Sequence, residues 1–177
     1  MKKEKLIKEL LSWLGTLTVS LVLVSFVYLL VIRPVRVDGN SMNPTLNNND
    51  FVLIIPRVSE VNSRDVVVLQ SNNKNASLYV KRVIATEGQT VDIDKVNGRI
   101  IVDGVSLRET YIMEDNYILG DVTYPQTVKQ GHVFVLGDNR NHSTDSRFSS
   151  LGQVPVEDIE GKVIFRLSPI DKMGKVS

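Results

Sequence analysis

Apolar and polar positions follow two different rules along this chain, and the change falls near residue 32. From Trp13 to Ile32 the sequence reads WLGTLTVSLVLVSFVYLLVI, twenty residues without one charge. At about 1.5 Å rise per residue such a helix is about 30 Å long, the thickness of a bilayer's hydrocarbon core. After Ile32 the apolar positions come in short runs of β-branched residues. Val35 and Val37 alternate with charged neighbours, Phe51 to Ile55 stops at Pro56, and Val66 to Leu69 follows Arg64-Asp65. Tyr79 and Val80 lead through Lys81-Arg82 into Val83-Ile84, and Val91-Asp92-Ile93 begins a meander. Asn97-Gly98 and Asp103-Gly104 flank Arg99 to Val102, and these dipeptides are the strongest short hairpin signals. Val133 to Leu136 and Lys162 to Arg166 complete the strands, while residues 47–50 and 71–75 are polar loops. No stretch after Ile32 keeps a 3.6-residue period, so helices there are short. The pattern predicts a mainly β protein, with a single N-terminal transmembrane helix followed by an antiparallel, barrel-like β domain.

The apolar run is too long for a cleaved signal sequence, whose core spans about 7–15 residues and ends at small residues. Here it leads into Arg33-Pro34-Val35-Arg36. A retained anchor divides the chain into a cytoplasmic segment 1–12, a membrane span 13–32 and an extracytoplasmic domain 33–177. Lys2, Lys3, Lys5 and Lys8 precede the span against Arg33 and Arg36 after it, which places the N-terminus in the cytoplasm.

Charge sharpens this division. The whole chain has 21 basic and 20 acidic groups. Residues 1–32 hold four Lys and two Glu, which leaves 17 basic and 18 acidic groups on residues 33–177. A domain of that balance is no nucleic-acid clamp. The absence of cysteine removes disulfides, thiolate ligands and a cysteine nucleophile together. The two histidines, His132 and His142, have no second metal-type partner at helical or hairpin spacing, so no metal site or cofactor is expected.

Three segments carry candidate chemistry. In Gly39-Asn40-Ser41-Met42-Asn43-Pro44-Thr45, Ser41 either caps a short helical turn or exposes its Oγ as a nucleophile. In Tyr79-Val80-Lys81-Arg82-Val83, Lys81 is either an edge-strand gatekeeper in water or a buried amine whose lowered pKa makes it a base. The third, Gly137-Asp138-Asn139-Arg140-Asn141-His142-Ser143-Thr144-Asp145-Ser146-Arg147, follows an apolar strand. It reads either as a set of Asx and Ser/Thr turns or as the source of a Ser41–His142–Asp145 triad.

Taken as a set and in order, Ser-Met-x-Pro-Thr after an anchor, Tyr-x-Lys-Arg on a strand and Gly-Asp-Asn-Arg-x-x-Ser-x-Asp-Ser-Arg resemble type I signal peptidase, most of all its short Gram-positive members. The resemblance runs from the anchor to about Val163. It implies a membrane-anchored serine endopeptidase with a Ser–Lys dyad, Ser41 as nucleophile and Lys81 as general base, and no histidine. Ser143 matches the serine that orients the lysine amine, Asp145 and Arg147 a structural ion pair, and Asp138 a supporting acidic position. Met42 is expected beside the nucleophile, shielding the dyad. Gly39 stands where Gram-negative relatives place a serine that assists the oxyanion hole, which leaves the Ser41 backbone N–H as the donor to expect.

The implied substrates are signal-peptide-bearing pre-proteins cut after small residues (A-x-A type) at the outer face of the cytoplasmic membrane. Membrane lipid and the secretion machinery are the implied partners, without nucleic acid. Ser41 lies nine residues past Ile32, so an extended link reaches no more than about 32 Å. Two other functions compete: a Ser–Lys protease that cuts itself, and a non-catalytic anchored β domain that binds peptides or wall components.

Overall fold

The computed structural model describes residues 2–56, 58, 60–70 and 78–176. The polar run predicted at 71–75 lies outside the described residues. The chain separates into two compact units, Met1–Arg33 and Pro34–Ser177.

The first unit is helix α1, Lys2–Val31. Its span from Lys3 to Phe26 is long and apolar enough to cross a membrane, and none of its most apolar stretch is buried within the protein. Trp13, Leu17 and Val24 are each about two-thirds exposed or more, a state that lipid rather than water accommodates. The helix begins eleven residues before the predicted span, because Lys3, Glu4, Lys5, Lys8 and Glu9 extend the same helical turns.

The second unit is mainly β, as the alternating pattern requires. Strands β1 (Arg33–Arg36), β2 (Phe51–Pro56), β3 (Val66–Leu69) and β4 (Tyr79–Thr86) precede a meander of β5 (Thr90–Ile93), β6 (Ile100–Val102) and β7 (Val105–Ser106). Then come β8 (Gln126–Thr127), β9 (His132–Leu136), β10 (Val154–Pro155), β11 (Ile159–Ser168) and β12 (Gly174–Lys175). The larger sheet runs in the order β1-β2-β11-β3-β4-β9-β10, with β12 on β11, and the smaller one in the order β7-β6-β5-β8. Long β11 pairs antiparallel with both β2 and β3. Among the described residues the only helices after Val31 are two three-residue 3-10 turns.

Local chemistry explains the connections. The Asp103-Gly104 turn has φ of 51° and 78°, both left-handed, and it joins β6 to β7 with Val102 opposite Val105. The run at Phe51 alternates: Val52 and Ile54 are buried, whereas Phe51 and Ile55 are 44% and 41% exposed. The strand therefore keeps one face in the core and turns the other outward.

Three apolar clusters hold the domain. Val66, Val68 and Val80 pack with Met42 and Leu46 in one, and Val67, Val83 and Val135 lie in a second. Ile84, Ala85, Phe134 and Leu136 join the small sheet's Val91 and Ile100 in the third. Strand β4 contributes to all three, which makes it the domain's central strand.

Candidate active site

The burial of its amine decides the status of Lys81. Val67 stands opposite it on β3, and β9 pairs with β4 from Arg82 onward. An amine launched from there enters the interior, and Lys81 is 2% exposed. Burial lowers its pKa from 10.5 to about 8; the Asp145 carboxylate pushes back upward, Arg147 lowers it and Asp138 raises it. The edge-strand gatekeeper is excluded.

Ser41 arrives from the long excursion between β1 and β2. That excursion is closed by Val37 N–H donating to Asp50 O at 2.8 Å and Asn49 N–H donating to Val37 O at 2.9 Å. Met42 and Leu46, 1% and 0% exposed, pin the turn to the core. Met42 thus lies under the Ser41 turn as a core residue. Asn139 fastens the other side, its N–H donating to Ser41 O and its Nδ2 to Asn40 O, both at 3.0 Å. The Lys81 amine donates to Ser41 Oγ at 2.7 Å.

Gly39 has φ of 86° with open space where a Cβ would stand. The left-handed backbone, rather than crowding, is what a side chain there meets. Its N–H donates to Asn48 Oδ1 at 3.0 Å, which fixes the approach to Ser41.

The third segment wraps the pair. Asp145 and Arg147, both fully buried, form a two-pronged ion pair with Nε–Oδ1 at 2.8 Å and Nη2–Oδ2 at 2.9 Å. Asp145 also accepts the Gly137 N–H at 3.0 Å, and Arg147 donates to Ile118 O at 2.7 Å. Asp138 takes two hydrogen bonds from Arg82, each 2.8 Å, and one from Thr45 Oγ1 at 2.5 Å. This joins the serine turn, β4 and the loop through one buried charge pair.

Ser143 Oγ is buried and makes no hydrogen bond among the described residues. A Cβ on Gly137 would lie 2.3 Å from that oxygen and 2.4 Å from Ser41 O, so glycine alone allows this approach. His142 is exposed, and among the described residues its ring bonds neither Ser41 nor Asp145. The structure therefore brings together Ser41, Lys81, Asp138, Ser143, Asp145 and Arg147, and leaves His142 outside.

Several residues around this constellation carried no motif. Tyr111 lies over the Arg82 guanidinium at 3.9 Å and donates to Glu109 at 2.8 Å. Glu109 pairs with Arg140, whose Nε donates to Gly137 O at 3.1 Å. Their segment, after β7, has no periodic pattern. The Tyr-x-Lys-Arg and Gly-Asp-Asn-Arg motifs held the only sequence signal for its partners.

A serine hydroxyl held by a buried lysine amine, on a β domain that follows an apolar helix, is the equipment of a membrane-anchored serine hydrolase. The chain belongs to the signal peptidase family, peptidase S26, whose model matches residues 10–168. The activity that membership carries is signal peptidase I activity, on precursors that bear signal peptides. It is 31% identical over 186 residues to signal peptidase I of Bacillus amyloliquefaciens, covering 98% of this chain and 97% of that protein. Signal peptidase IB of Staphylococcus aureus is 31% identical over 183 residues, covering 93% of each. A probable signal peptidase I-1 of Synechocystis is 34% identical over 172 residues, 90% of this chain and 83% of that protein. A crystal structure of a signal peptidase I from Enterococcus faecalis matches with TM-score 0.49 and 29% identity, covering 60% of this chain and 98% of that one.

Proposed function

We propose that this protein cleaves signal peptides from exported precursors through a Ser41–Lys81 dyad, with its β domain at the outer face of the cytoplasmic membrane. The observation that carries this reading is the 2.7 Å hydrogen bond from a buried lysine amine to an otherwise ordinary serine. With a pKa of about 8, roughly a tenth of the amine is neutral at pH 7, against about 0.03% at 10.5. Neutral Lys81 takes the Ser41 proton as Oγ attacks the scissile carbonyl, then gives that proton to the departing amine. Water repeats the cycle against the acyl-enzyme. The unpartnered Ser143 hydroxyl is available to hold the lysine amine once Ser41 is acylated.

Two further features support a peptide substrate. Strand β9 ends at Leu136 opposite Arg82, so Tyr79 to Lys81 pair with β3 alone among the described residues. An extended peptide can add to that open edge beside the dyad, which favours selection by small side chains near the cut. The four lysines before the apolar run and two arginines after it support a cytoplasmic N-terminus. The test is cleavage of a purified signal-peptide-bearing precursor by Ser41→Ala, Lys81→Met and His142→Ala variants. The first two are expected to lose activity, and His142→Ala to keep it. Activity retained without Lys81 and lost without His142 would replace the dyad by a triad.

A further inference from the structure

Away from Ser41 and Lys81, a cleft of about 370 Å³ has charged walls that are mostly cationic. Arg64, Arg108, Lys162 and Lys175 line it, with Asp65 as the one acidic neighbour and Tyr111 as an aromatic wall. Neither Ser41 nor Lys81 contributes to it. Asp65 is already taken by Lys162 at 2.6 Å, and Arg82 at the back is taken by Asp138. Arg64, Arg108 and Lys175 are exposed and form no ion pair among the described residues. Three cations without an ion pair among the described residues thus line one cleft in a domain whose own side chains sum to −1. A concave wall of one sign focuses the field and concentrates anions.

Arg64 adds a second, independent observation. Its φ is 75°, a left-handed conformation that a branched-off side chain resists. The other described non-glycine residues with positive φ are Asn49 and Asp103, types that adopt it readily. Arginine is not such a type, and glycine would make this turn with less strain. The backbone here is locked from both sides: Arg64 N–H donates to Val83 O at 2.8 Å, and Arg64 O accepts from Arg82 at 3.0 Å. Strain tolerated at a fixed point, on a residue that lines a cationic cleft, indicates that the side chain is used.

We infer that this cleft is a binding site for a phosphate group, whether free phosphate or the headgroup of an anionic phospholipid. Two guanidiniums and one ammonium, with Thr110 also on the wall, supply the charge and the hydrogen-bond donors that phosphate oxygens take.

The experiment follows side-chain reactivity in the full-length protein by mass spectrometry. Phenylglyoxal modifies Arg64 and Arg108, acetic anhydride modifies Lys175, and exposed Lys129 is the control. One arm adds inorganic phosphate to the protein in nonionic detergent; the other compares phosphatidylcholine bilayers with and without phosphatidylglycerol. Bound phosphate slows modification of the three cleft residues by at least about threefold and leaves Lys129 unchanged. Protection in the first arm alone identifies free phosphate as the ligand, and protection in the second alone identifies the lipid headgroup. Arg64→Gly, which keeps the left-handed backbone, is expected to abolish protection of Arg108 and Lys175 while precursor cleavage is unchanged. Lys175→Gln gives the same readout at Arg64 and Arg108 should the first variant fold poorly. Absence of protection in both arms, equal protection of Lys129, or protection that survives both variants overturns the site.

Discussion

Replacing Lys81 by methionine is expected to abolish activity and yet make the protein more stable at neutral pH. The amine is 2% exposed, and burial brings its pKa down from 10.5 to about 8. Below pH 8 the lysine is charged in both folded and unfolded chains, and the folded domain bears the whole cost of a buried charge. The fall in pKa corresponds to about 3 kcal/mol. Between pH 8 and 10.5 the unfolded chain holds the proton that the folded chain has lost, so stability rises with pH there and the cost disappears. Methionine has a similar length and no charge, and it forfeits the hydrogen bond to Ser41, which is worth about 1 kcal/mol. The net expectation is a gain of about 2 kcal/mol at pH 7, which raises Tm by roughly 6 °C for a domain of this size. Near pH 10.5 the same variant is slightly less stable than the parent. Circular dichroism melts of both full-length proteins across pH 6 to 10.5 provide the assay. A variant less stable at pH 7, or an offset that does not change with pH, would refute a buried, charge-penalised lysine.

Other perturbations probe the frame around Ser41 and Lys81. Gly137→Ala places a methyl 2.3 Å from Ser143 Oγ and 2.4 Å from Ser41 O. It is expected to cost at least about 3 kcal/mol in denaturant unfolding and to reduce kcat by about a hundredfold or more. Arg82→Met leaves the buried Asp138 carboxylate without its ion-pair partner and is expected to destabilise by about 3–5 kcal/mol. Adding Asp138→Asn to that variant should recover part of the loss, as a double-mutant cycle measures. Arg147→Met should be similarly costly, because Asp145 loses both prongs of its ion pair.

Much of this was legible along the sequence, and the limits have physical causes. Strand runs, the left-handed Asp103-Gly104 turn and the apolar anchor are local, so pattern alone locates them. The run from Phe51 to Ile55 was also local, but its two exposed members depend on which face β11 covers. From its own neighbours Lys81 could hold its amine in water or in the interior; only the packing of distant segments over it decides this, leaving it 2% exposed with its amine on Ser41, and such packing is nonlocal. The motif resemblance brought Ser41 and Lys81 together across 40 residues, which no local pattern does. Glu109 and Tyr111 escaped notice because they lie in irregular chain and act through contacts to Arg140 and Arg82. His142 looked eligible by chemistry and is set aside by exposure.

The central claim is that a neutral Lys81 activates Ser41, and the pH dependence of kcat/KM on a signal-peptide-bearing precursor tests it most directly. The amine has to be unprotonated to act, so the rate should climb about tenfold per pH unit below a midpoint near 8 and level off above it. A rate that stays flat from pH 8 down to pH 5 would contradict a lysine base.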